Sequence, residues 1–201
     1  MRLGIYGGSF DPIHYGHLLL AETARVEANL DRVEFIPLGV PPHDKRVRTS
    51  GEDRWRATVL ATAPYPEFTV SRYEIDNPQI SYTADTLRHY REAFPEDELF
   101  LIVSSETFND MPRWKRPDEI CRLASIVVAR RAGYPPPDYQ SFETFASPER
   151  IEEFRRQTVA APLLETSSTA VRQRVALGKS IRFMTPDAVV DFIREKNLYR
   201  R

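Results

Sequence analysis

The chain has 201 residues, 41% of them hydrophobic and 28% charged, which suits a globular protein with one sizeable core. A formal net charge of −1 excludes a nucleic-acid binder built on a basic surface, so any anion site must be local. The only cysteine, Cys121, excludes an intrachain disulfide, and no run reaches the about 18 apolar residues of a membrane helix.

In chain order, a short apolar run predicts a strand over 2–6, and the pattern from 14 to 29 predicts a helix. Further strands are predicted over 33–37, 68–73, 98–103, 125–129 and 159–164, and further helices over 51–63, 82–93 and 117–123. Two more helices, 168–177 and 186–196, form a small C-terminal helical part. Strands alternating with helices imply an α/β fold, a doubly wound and mainly parallel sheet. Two connections interrupt the pattern, the charged and proline-bearing 39–46 and the Pro-rich 133–148. With no repeat, linker or low-complexity tract, residues 1–201 read as a single domain. Glycines at 4, 7 and 8 come too early for a signal-peptide core, so a cytoplasmic location is expected.

The densest chemistry lies between the first strand and first helix, in Gly7-Gly8-Ser9-Phe10-Asp11-Pro12-Ile13-His14-Tyr15-Gly16-His17. Two histidines three residues apart, at about 1.5 Å of rise per residue, share one helix face. A helix N-terminus favours anions, and phosphate is the natural guest. The spacing of Gly4, Gly7 and Gly8 does not fit G-x-G-x-x-G, and neither a Walker A loop nor G-x-S-x-G is present. Asp11, His14 and His17 could bind a divalent metal, but such sites need about three or four ligands and the following region offers no obvious further one, so no metal site is assigned. Later, Ser167-Ser168-Thr169 before an apolar-periodic segment reads as a helix N-cap.

The segment 8–17 resembles the GxFDPxHxGH signature of the HxGH nucleotidyltransferase superfamily, with its Rossmann-like fold. The chain is most similar to the bacterial nicotinate-nucleotide adenylyltransferases. Pro41-Pro42-His43, Ile80-Ser81-Tyr82-Thr83-Ala84-Asp85-Thr86-Leu87, Arg113-Trp114-Lys115 and Thr166-Ser167-Ser168-Thr169-Ala170-Val171-Arg172 resemble further motifs of that family, in order. So does the ending from Pro186 to Tyr199.

The resemblance implies adenylyl transfer from ATP, with Mg²⁺, to nicotinate mononucleotide, giving deamido-NAD and pyrophosphate in NAD biosynthesis. It implies catalytic roles for His14, His17, Lys45 and Arg172. ATP would be held by Gly7, Gly8, Ser9, Phe10, His14, His17, Ser104, Glu106, Ser167, Ser168, Thr169 and Arg172, with Phe10 packing beneath the turn and Asp11 bracing it. Gly8, Ser9, His43, Lys45, Tyr82, Thr83 and Trp114 would serve the nicotinate nucleotide. The chain departs from the pattern twice: Val103-Ser104-Ser105-Glu106 stands where Gly-Ala-Asp is usual, and Asp44 takes the usual lysine position, with Lys45 one place later. Two alternatives follow: a related enzyme for nicotinamide mononucleotide or phosphopantetheine, or a catalytically weakened nucleotide-binding protein. The oligomeric state, a homo-oligomer included, is left open.

Overall fold

A computed structural model describes residues 1–41, 47–131 and 133–200. Its elements follow as β1 (Arg2–Gly8), α1 (Tyr15–Glu27), β2 (Arg32–Pro37), α2 (Gly51–Thr62), β3 (Phe68–Val70), α3 (Tyr73–Asp76), α4 (Thr83–Ala93) and β4 (Glu98–Ser104). Then come α5 (Ser105–Asp110), α6 (Pro117–Leu123), β5 (Ser125–Arg131), α7 (Pro148–Arg156), β6 (Thr158–Ala161), α8 (Ser168–Ala176) and α9 (Asp187–Glu195). The strands form one six-stranded sheet in the order β3-β2-β1-β4-β5-β6, with β1–β4, β4–β5 and β5–β6 parallel. This is the doubly wound Rossmann-like arrangement expected. The order reverses at β1, so the turn leaving β1 stands at the switch point where ligands bind in such sheets.

The chain divides into two compact units, one of Met1–Tyr6, Leu20–Glu34 and Tyr82–Leu163, the other of Gly7–Leu19, Phe35–Ser81 and Leu164–Arg201. In the first, Leu99 to Val103 of β4 and Ser125 to Ala129 of β5 are buried residue after residue. Such unbroken burial is what a parallel strand covered on both faces requires. Phe142 anchors the connection after β5, fully buried and stacked on Phe108 at 4.2 Å. That connection therefore carries more structure than its proline-rich composition predicts. In the second unit, α2 packs against α9, and Phe10, Phe35, Phe68, Val171, Val189 and Ile193 fill the core.

Several elements differ from the sequence expectation, and β6 ends at Ala161, short of the expected 164. β3 stops at Val70, and Tyr73 already begins α3, because Ser71 ends the strand with a last N–H bond to the Phe35 carbonyl at 2.9 Å. α5 and α7 were not predicted, since each offers only one or two apolar positions. For α7 the signal was polar: Ser147 caps the Arg150 N–H and Pro148 follows at the first turn.

Candidate active site

The signature turn owes its shape to close packing. Phe10 adopts φ 45° and buries its ring beneath the turn, 5.7 Å from the Phe35 ring and edge-on to His17 at 5.1 Å. A Cβ on Gly8 would sit 2.8 Å from that ring, and one on Gly16 would sit 3.0 Å from the imidazole of His14. The glycine between the histidines is thus needed to let the first ring lie flat. At Gly7 a Cβ would meet no protein atom within 4 Å.

His14 and His17 stack with centroids 3.7 Å apart and 26° between planes. The His14 N–H donates to Nδ1 of His17 at 3.2 Å. A neutral His17 with Nδ1 accepting must carry its hydrogen on Nε2, so Nε2 is a donor.

Side chains grip the turn from outside. The Ser9 carbonyl accepts from Arg54 at 2.9 Å, that of Asp11 from Arg172 at 2.7 Å, that of Pro12 from Ser168 at 2.9 Å, and that of Ile13 from Thr185 at 2.8 Å. The Asp11 carboxylate, 3% exposed, accepts from the Arg48 N–H at 2.6 Å and from the Thr49 and Tyr199 hydroxyls at 2.8 Å each. Asp11 thus braces the turn as expected. Arg54 is 1% exposed; burial holds its pKa below the ordinary arginine value, against the pull of Asp11, Tyr199 and Glu74.

Ser167 caps α8 by accepting from the Ala170 N–H at 3.1 Å, and Thr169 accepts from Arg172 at 3.1 Å. Arg172 therefore spans the signature turn and the first turn of α8. The second unit gathers Gly7, Gly8, Ser9, Phe10, His14, His17, Ser167, Ser168, Thr169 and Arg172.

The first unit holds Tyr82, Thr83, Ser104, Glu106 and Trp114. Tyr82 precedes α4 without a side-chain cap, and Thr83 opens the helix. The Lys115 ammonium lies 4.0 Å above the Tyr82 ring, a cation–π contact. Trp114 follows a short 3₁₀ turn, its N–H donating to the Met111 carbonyl at 2.9 Å. Ser104 has φ −76° and caps α5 through the Thr107 N–H. Its extended backbone has no need of the positive φ a glycine would offer. The Glu106 carboxylate pairs with Arg131 and accepts from the Ser105 hydroxyl at 3.2 Å.

Asp85, in the first turn of α4, pairs with Arg88 at 2.9 Å and with Arg116. Desolvation pushes its carboxyl up, but hydrogen bonds from Arg116 and Arg88 outweigh that, and the net shift is downward. A depressed pKa stabilises the fold above the unfolded value of about 4, and that contribution is lost as pH falls through the folded value. Asp85→Asn should therefore weaken stability at pH 7 and flatten its loss on acidification, modestly because the pair is partly exposed. Urea melts of both proteins at pH 7 and pH 3 measure this; parallel curves would contradict it.

His43 and Lys45 lie outside the described residues. Among the described residues no group of three or more His, Cys, Asp or Glu could hold a metal ion, and no helix is long and apolar enough to cross a membrane. Arg54, Thr49, Thr185, Tyr199 and Arg131 were not singled out as site residues in the sequence. Arg54 alone had a usable signal, since it shares the buried stripe Arg54, Ala57, Thr58, Ala61, Thr62, where an arginine is out of place.

Comparison with known proteins agrees with this geometry. The cytidylyltransferase-like family model matches residues 5–174. The chain belongs to that family. A probable nicotinate-nucleotide adenylyltransferase of Thermus thermophilus is 42% identical, with all of both chains covered. A second, from Moorella thermoacetica, is 40% identical over 99% of this chain and 92% of its own. The chain is thus a nucleotidyltransferase-type enzyme similar along its whole length to nicotinate-nucleotide adenylyltransferases. In fold it resembles Plasmodium falciparum nicotinic acid mononucleotide adenylyltransferase complexed with NaAD, at TM-score 0.73 and 17% identity, covering 98% and 97% of the two chains.

Proposed function

We propose that this cytidylyltransferase-like enzyme transfers the adenylyl group of ATP to the 5′-phosphate of nicotinate mononucleotide, in NAD biosynthesis. The observation that carries the reading is the stacked histidine pair on a turn gripped at successive carbonyls, beside the capped start of α8 and Arg172. The full-length likeness to nicotinate-nucleotide adenylyltransferases supports the choice of substrates.

In the reaction a phosphate oxygen of the mononucleotide attacks the α-phosphorus, the bond to the β-phosphate oxygen breaks, and pyrophosphate leaves with the electron pair. The nucleophile is already an anion, so alignment and charge stabilisation do the work. His17 donates from Nε2 to the α-phosphate, and His14 stacks against it to fix its plane. Gly7, Gly8 and Ser9 let the phosphates approach the backbone. Arg172 and the N–H groups at Ser167, Ser168 and Thr169 hold the β- and γ-phosphates. Lys45 and His43, from the 39–46 connection, add charge to the triphosphate and the mononucleotide.

The start of α4 at Tyr82 and Thr83 receives the nicotinate carboxylate, with Lys115 adding positive charge and Trp114 offering a flat face to the ring. Glu106 accepts a ribose hydroxyl of ATP on the lone pairs that Arg131 leaves. Mg²⁺ would enter with the triphosphate, whose hard phosphate oxygens suit it. When bound it neutralises charge on the triphosphate. The reading takes residues 1–201 as one nucleotidyltransferase domain in the cytoplasm, which the match over 5–174 supports in extent.

Purified protein should convert nicotinate mononucleotide, ATP and Mg²⁺ to deamido-NAD with release of pyrophosphate. Nicotinamide mononucleotide lacks the carboxylate charge and should be used about tenfold less efficiently or worse, at least about 1.4 kcal/mol of discrimination. Equal use of both would sink the proposed selectivity. Nucleotide binding without turnover would favour the weakened nucleotide-binding protein.

A further inference from the structure

Tyr199 lies far along the chain from the signature turn, with nothing in the proposed chemistry to occupy it. After α9 the backbone turns through two left-handed residues, Asn197 at φ 52° and Tyr199 at φ 61°. A bulky aromatic in that region is held there at a cost, which implies a contact worth holding. The Tyr199 hydroxyl donates to Oδ1 of Asp11 at 2.8 Å, across 188 residues of sequence. The Thr49 hydroxyl reaches the same oxygen at 2.8 Å and lies 3.4 Å from the Tyr199 oxygen. Burial, and the Asp11 carboxylate beside it, keep the phenol above its ordinary pKa, so it stays a donor.

Asp11 occupies the centre of the turn. Its carboxylate takes three donors, and its own carbonyl takes Arg172. The carbonyl of the next residue takes Ser168, and the one after takes Thr185. The residue that follows is His14, whose N–H sets the ring of His17. A change in how Asp11 is seated is thus relayed through covalent backbone to the imidazole donor.

We propose that Tyr199 is a positioning residue for adenylyl transfer: its hydroxyl seats the Asp11 carboxylate and so fixes the turn that aims His17. The proposal rests on the transfer reaction described above. A misaimed donor weakens transition-state contacts more than substrate binding, because the phosphates are held by several other groups.

Tyr199→Phe removes one oxygen and keeps the ring. In the full chain it should lower kcat about tenfold or more, leave KM for ATP and nicotinate mononucleotide within about twofold, and barely move Tm. The chain has 4 histidines, so the imidazole nitrogen signals of His14 and His17 are resolvable by ¹⁵N NMR. They should shift in Tyr199→Phe and stay in place in the control Tyr65→Phe, at a 43% exposed tyrosine. A folded Tyr199→Phe with wild-type kcat overturns the proposal. So does a rate that falls only with the folded fraction while the histidine signals stay put. Should the variant fail to fold, Thr49→Val loosens the same carboxylate oxygen and carries the same expectation. A wild type with no transfer to nicotinate mononucleotide overturns the reaction instead, and the histidine signals then decide the role of Tyr199.

Discussion

His17→Ala should lower kcat by about 10²–10³-fold, the loss typical when one preorganised donor to developing negative charge is removed. The size of the effect follows from how little freedom the ring has. Its Nδ1 is occupied by the His14 N–H at 3.2 Å, its face is covered by the His14 ring, and Phe10 meets it edge-on. In the neutral ring Nε2 then keeps the hydrogen. His17→Asn retains a donor of similar reach and should recover part of the rate. Steady-state kinetics at saturating ATP and nicotinate mononucleotide provide the measurement. A folded His17→Ala protein with undiminished kcat would refute the donor role.

Arg54→Ala should cost about 3–5 kcal/mol of folding stability, the range for truncating a large buried side chain and leaving its hydrogen-bond partners unpaired. Arg54 is 1% exposed and is among the largest fully buried side chains in the protein. It donates to the Ser9 carbonyl at 2.9 Å and to the Gly39 carbonyl at 3.4 Å, and its charge offsets those of Asp11 and Glu74. Truncation leaves those carbonyls facing a cavity. Arg54→Lys keeps the charge but not the planar fork, and should fall between the two proteins. Urea denaturation at pH 7 measures the loss; a midpoint shift equivalent to less than about 1 kcal/mol would contradict the account.

Sequence reading located the features whose chemistry is local. The signature turn, the cap at Ser167 and the opening of α4 each depend on residues a few positions apart, so spacing reveals them. Alternating strands and helices revealed the parallel sheet, because buried parallel strands such as β4 and β5 are written as unbroken apolar runs. The order in which those strands lie side by side leaves no such periodic mark.

Residues acting across the fold were silent for the same reason. Thr185 and Tyr199 meet the turn across 172 and 188 residues, and nothing in their neighbourhood announces a partner that remote. Ser104 and Glu106 looked anomalous as departures from a motif. Structurally each has local work, Ser104 as the cap of α5 and Glu106 as the partner of Arg131. α5 itself escaped notice because Phe108 is its only buried apolar residue.

The grip on the turn also orders events in time. Residues 9–14 leave the ribosome long before Ser168, Arg172, Thr185 and Tyr199, which hold their carbonyls and the Asp11 carboxylate. Contacts spanning so much chain form late, after more local structure has repaid part of the entropy of closing the loop. A nascent chain arrested before α9 would therefore display the histidines without all of the hydrogen bonds that aim them. The full rate of adenylyl transfer would arrive only once Tyr199 has emerged and docked.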